Sequence, residues 1–128
     1  EVARGFLHSH SYTGNPLACR AALAVLDLFR DGDVLEANRG RARRWAGFLA
    51  PLAGHPNVRS FRQCGMIFAW EVATARPDFA RWCFAEALAA ELLLRPIGTT
   101  IYVMPPYILT DDEMRLLASR TMAIVDRA

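Results

Sequence analysis

The sequence predicts an α+β fold in which helices pack on a small, mainly antiparallel sheet. Three observations predict it. Several stretches carry apolar residues at helical spacing, some of them opened by strong capping residues. Three short runs read as strands, and two of these follow one another with little more than Cys64-Gly65 between them. The order along the chain is arm, helix, helix, strand pair, helix, strand, helix, the pattern of an α+β domain.

Residues 1–14 read as an extended arm, and residues 15–128 as the folded domain. Asn15-Pro16 predicts a helix start, because Asn caps free N–H groups and Pro tolerates the first helical position. Leu17, Ala18, Ala21, Ala22, Val25, Leu26 and Phe29 then recur at helical spacing, and Arg30-Asp31-Gly32-Asp33 ends that helix and starts the next. The second helix runs from Val34 to about Leu52, with Pro51 and Gly54-His55-Pro56-Asn57 closing it. Val58–Arg62 and Met66–Val72 read as a hairpin or bulged strand pair. Pro77 opens a third helix expected to reach about Leu94, and Ile101–Met104 form a strand that Pro105-Pro106 stops. Thr110-Asp111-Asp112-Glu113 is a capping box, followed by an inner stripe of Met114, Leu117, Ala118, Thr121, Met122 and Val125.

Composition narrows the function. The chain has 128 residues, 53% of them apolar, enough for one packed core. No apolar run approaches the roughly 18 residues of a membrane span. Ala85–Leu94, the longest candidate, is interrupted by Glu86 and Glu91. A net charge of +2 is too balanced to imply nucleic acid, and the cluster Arg39, Arg41, Arg43 and Arg44 reads as a solvated helix face. Cys19, Cys64 and Cys83 show no metal-binding spacing and read as buried thiols of a cytoplasmic protein. His8 and His10 form a pair with no evident third metal ligand, so no metal site is expected. The chain begins without Met and without a signal peptide, which fits a piece of a longer protein. All fifteen basic residues are arginine.

Two strings carry chemistry. In Ser11-Tyr12-Thr13-Gly14-Asn15-Pro16-Leu17-Ala18, hydroxyls precede a helix N-terminus, an arrangement that favours an anion or serves only as a cap. The stretch resembles the hydroxyl-aromatic-x-Gly-Asn-Pro-Leu-Ala segment of class III (ornithine-type) aminotransferases. The resemblance implies pyridoxal 5'-phosphate as cofactor, with Ser11 binding the phosphate of the neighbouring subunit and His10 and Tyr12 near the cofactor. It further implies a homodimer whose active site is shared between subunits, and small-molecule substrates.

The second string is Arg95-Pro96-Ile97-Gly98 followed by Tyr102-Val103-Met104-Pro105-Pro106-Tyr107. It is similar to the biotin-pathway branch of the same family, in which S-adenosylmethionine donates the amino group to a keto acid, 8-amino-7-oxononanoate. By that resemblance Arg95 binds the substrate carboxylate and Tyr102 lines the substrate pocket. A guanidinium fork suits a carboxylate because two parallel hydrogen bonds form at once. A surface ion pair between Arg95 and Glu91 is the plain alternative. The family anchors its cofactor on a lysine amine, and this chain has none. The expectation is therefore the C-terminal small domain of a fold-type I enzyme, with an arm belonging to the large cofactor domain, inactive by itself. Competing expectations are another class III enzyme acting on an ω-amino acid or diamine, and a non-catalytic module that dimerises or binds a small acid.

Overall fold

A computed structural model describes residues 13–128. The elements run α1 Pro16–Asp31, α2 Val34–Ala53, β1 Val58–Cys64, β2 Ile67–Val72, α3 Phe79–Ala89, β3 Thr100–Val103 and α4 Asp111–Val125. The chain separates into two compact units, Glu1–Leu35 and Glu36–Ala128.

In the first unit, Asn15 Oδ1 accepts from the N–H groups of Leu17 and Ala18 at 2.9 and 3.1 Å, and Pro16 opens α1 as the sequence predicts. The apolar stripe of α1 buries no residue: Leu17 is 81% and Leu26 62% exposed.

In the second unit the three strands form a sheet in the order β1-β2-β3, antiparallel throughout. Cys64 pairs with Ile67 across a two-residue turn in which Gly65 takes φ +55°, a conformation that costs a residue without Cβ little. β1 carries a bulge between Arg59 and Arg62. Cross-strand partners share a face. Phe68 with Val103 and Trp70 with Ile101 therefore line the core side, and Ala69 with Tyr102 and Glu71 with Thr100 the other. The core closes with Trp45, Leu49 and Leu52 of α2, Phe79, Cys83 and Ala87 of α3, and Met114, Ile124 and Val125 of α4. Burial pushes the Cys83 thiol up to about 11. Cys19 and Cys64 are exposed, contrary to the expectation of three buried thiols.

Several element boundaries differ from the sequence expectation: β1 runs on to Cys64, β2 begins at Ile67, β3 spans Thr100–Val103, and the helices differ as follows. Pro51 lies inside α2, in its last turn, where it has no N–H to donate to the Gly47 carbonyl; the burial of Leu52 offsets that loss. α3 begins at Phe79 and stops at Ala89, five residues short of Leu94. Its end is a Schellman motif: Leu92 N–H donates to the Ala87 carbonyl at 2.7 Å, Glu91 N–H to the Leu88 carbonyl at 2.9 Å, and Glu91 takes φ +55°. Three successive leucines cannot all face one helical stripe, and leaving the helix lets Leu94 bury to 3% exposure. In α4, Ile124 joins the buried stripe while Leu117 and Met122 are only half-buried.

The start of α4 is fixed electrostatically. Thr110 Oγ1 accepts from the Glu113 N–H, and Glu113 Oε2 accepts from the Thr110 N–H at 2.8 Å, completing the capping box. Asp111 Oδ1 accepts from the Trp45 indole N–H at 2.8 Å, and Oδ2 accepts from Arg44 Nε at 3.2 Å. These bonds hold both carboxyls below their ordinary range, Asp111 chiefly through Trp45 and Glu113 chiefly through the Thr110 N–H. A carboxyl whose folded pKa is depressed stabilises the fold above its unfolded pKa and loses that contribution as pH falls through the folded value. Unfolding midpoints measured from roughly pH 5 downward should therefore drop, and less steeply in Asp111→Asn. Thr110→Ala should lower stability by about 1 kcal/mol at neutral pH, read by denaturant unfolding.

The arginine cluster is accounted for within α2 and its neighbour. Arg39 and Arg43 pair with Glu36, Arg41 bonds Asn38, and Arg44 pairs with Asp111.

Candidate substrate-binding site

The segment that follows α3 returns on itself as a small hairpin. Ile97 and Thr100 exchange both backbone hydrogen bonds at 2.9 Å around Gly98-Thr99, with Gly98 at φ +58°. Arg95 precedes this turn and Tyr102 follows it. Both line one cavity of ≈ 280 Å³, with Leu93, Leu94, Val103, Met104, Pro105, Pro106 and Leu117. Pro105-Pro106 end β3, as the sequence predicts, and turn the chain around the cavity before α4.

Among the described residues Arg95 is the only charged side chain lining this cavity, and Tyr102 the only hydroxyl. Arg95 is exposed and Tyr102 half-buried. Among the described residues Arg95 has no ion pair, hydrogen bond or ring contact of its side chain. The pairing with Glu91 does not form: Glu91 Oε2 instead meets the Arg120 guanidinium at 2.9 Å. Arg59 and Arg81 also lack such partners. Arg59 stands on a strand, however, and Arg81 shares its cavity with the Asp78 carboxylate. Among the described residues and the cavities they line, Arg95 joins an unpaired guanidinium to apolar walls. That combination can hold a carboxylate by a two-point hydrogen bond while the walls take an aliphatic stem.

Sequence reasoning reached Arg95 and Tyr102 but not Leu117, which it placed in the inner stripe of the last helix. Only the docking of α4 beside β3 brings Leu117 to the cavity. His10, Ser11 and Tyr12, the residues expected near a cofactor, lie outside the described residues, as does His8. At the α1 N-terminus, Asn15 occupies the first available N–H groups, so they are not left for an anion. With that terminus satisfied and no lysine in the chain, the described residues do not by themselves form a cradle for pyridoxal phosphate. No group of three metal-ligand side chains occurs among the described residues. No helix there is long and apolar enough to cross a membrane.

Residues 1–125 match the class-III aminotransferase family. The chain is similar to the adenosylmethionine-8-amino-7-oxononanoate aminotransferase of Helicobacter pylori, 40% identical over 131 residues, covering 98% of this chain and 30% of that protein. It is similar in structure to the enzyme of the same name from Methanocaldococcus jannaschii, with a TM-score of 0.80 and 27% identity over 98% of this chain and 31% of that one. The PMP-bound aminotransferase of Vibrio fluvialis, with a TM-score of 0.80 at 23% identity, shares the fold and covers 96% of this chain and 29% of its own. The chain thus spans about 30% of the length of the curated relative.

Proposed function

The chain belongs to the class-III aminotransferases, and from that premise we propose that it is the C-terminal part of a pyridoxal-phosphate enzyme of biotin synthesis. The amino donor is S-adenosylmethionine and the acceptor 8-amino-7-oxononanoate, as the name of the Helicobacter pylori relative suggests. Residues 15–128 form the small domain, residues 1–14 reach into the large one, and the working unit is a cytoplasmic homodimer. Ser11 binds the cofactor phosphate of the neighbouring subunit, with His10 and Tyr12 beside it.

The observation that carries this reading is the Arg95 guanidinium, without a partner among the described residues, in an apolar cavity with Tyr102. Arg95 takes the keto-acid carboxylate in a bidentate bond. Tyr102 and the apolar walls orient the chain and exclude water from the fork, which strengthens it. Bound pyridoxal phosphate supplies the electron sink for amino transfer. The proton-shuttling lysine comes from a portion outside this chain, so the chain alone is inactive.

The test is amino transfer by the full-length protein that carries this chain, supplied with pyridoxal phosphate, S-adenosylmethionine and 8-amino-7-oxononanoate. Formation of the diamine product supports the reading. Turnover only with another amine donor removes the biotin-pathway assignment, and absence of any transfer removes the enzyme.

A further inference from the structure

We propose that Arg120 is a positioning residue for the carboxylate site. By holding the Glu91 carboxylate against α4 it keeps that anion from Arg95 and leaves the Arg95 fork open to substrate. The inference rests on the reading of Arg95 given above.

Glu91 is the acidic residue closest in sequence to Arg95, four positions before it. On a continued helix the two would stand at the spacing where Glu and Arg pair, and the fork would be neutralised within the chain. Two features of the structure remove that pairing. The helix stops at Ala89, and Glu91 takes the left-handed conformation, φ +55°, of the Schellman motif. Its carboxylate is then bound by Arg120 at 2.9 Å. Arg120 is the anchored member of the pair: its side chain is 29% exposed, against 81% for Glu91. Arg120 also lies one helical turn beyond Leu117, which walls the cavity. α4 thus walls the cavity through Leu117 and, through Arg120, holds the anion nearest to Arg95 in sequence.

A carboxylate tethered four residues from Arg95 has a high effective concentration relative to a free substrate. Released from Arg120, it competes with the keto acid for the fork. The proposal places the consequence at keto-acid binding, and the donor half-reaction is read beside it as the control.

The experiment uses the full-length enzyme, with 8-amino-7-oxononanoate varied at saturating donor. Arg120→Met should raise KM for the keto acid about three- to fivefold, the equilibrium equivalent of an exposed ion pair. Its kcat and its single-turnover rate with the donor should stay at the parent values. Arg120→Met combined with Glu91→Gln should return KM to the parent value, since no anion is left to compete. A purely structural role for Arg120 predicts the opposite, a double variant at least as impaired as the single one, and that result overturns the proposal. An unchanged KM in Arg120→Met also overturns it. If the methionine variant does not accumulate, Arg120→Gln is read in the same way. Arg95→Ala in the same assay separates the two layers. If it leaves KM unchanged, the carboxylate reading and this proposal fall together. If it raises KM while Arg120→Met does not, only the proposal falls.

Discussion

Arg95→Ala in the full-length aminotransferase is expected to lower kcat/KM for the keto acid by about 100-fold, the equivalent of roughly 3 kcal/mol for a lost charge-assisted, two-point contact. The half-reaction with the amino donor should keep its rate. The size of the loss follows from the site: among the described residues Arg95 is the only charge lining a cavity with apolar walls, so none of them replaces it when a carboxylate enters. Arg95→Lys should fall between parent and alanine variant, because an ammonium keeps the charge but not the planar fork. Stability should move by no more than about 0.5 kcal/mol, since Arg95 is exposed and holds no partner whose bond would be lost. Stopped-flow absorbance of the bound cofactor reads each half-reaction separately. An equal loss in both would show that Arg95 supports the site generally, and the carboxylate role would be abandoned.

The largest stability effect is expected at Trp45. Its side chain is fully buried, and its indole N–H donates to Asp111 at 2.8 Å. It therefore performs two tasks at once: it fills the space under α2 and ties that helix to the first turn of α4. Trp45→Ala should cost about 4 kcal/mol, from lost burial and the cavity left behind. Trp45→Phe keeps most of the apolar surface and loses the hydrogen bond, and should cost about 1–2 kcal/mol. Denaturant unfolding of the domain measures both. Because α4 also carries Leu117 and Arg120, the alanine variant should blunt keto-acid binding as well, and the phenylalanine variant much less. Equal losses of stability in the two variants would mean that the Asp111 contact, rather than packing, dominates at this position.

Much of the fold was legible because it rests on local chemistry. Asn15-Pro16 and Thr110-x-x-Glu113 satisfy the free N–H groups of a helix start with atoms a few residues away, so the string itself specifies the structure. The Cys64-Gly65 turn and Pro105-Pro106 act in the same local way, by a permitted left-handed residue and by missing donors. Arg95 and Tyr102 were legible as residues through their motif. That they share a cavity is a matter of how the chain returns after the turn at Gly98-Thr99.

The remainder was decided by partners distant in sequence. The helical pattern of Ala85–Leu94 continued past the true end of α3, because periodicity does not reveal that burying Leu94 is worth leaving the helix. Glu91 and Arg95 stood at the spacing of an ion pair, and a third residue, Arg120, took the carboxylate. Trp45 finds Asp111 across 66 positions. Leu117 packs against the core as its spacing indicates, and only the tertiary packing shows that it also reaches the cavity wall. The sequence by itself determined the helix caps, the turns, the family strings and the absence of a cofactor lysine, because each depends on covalent neighbours or composition. Tertiary structure alone decided which charges pair and which guanidinium stays free, because such competition is settled by the distances that packing imposes between remote residues.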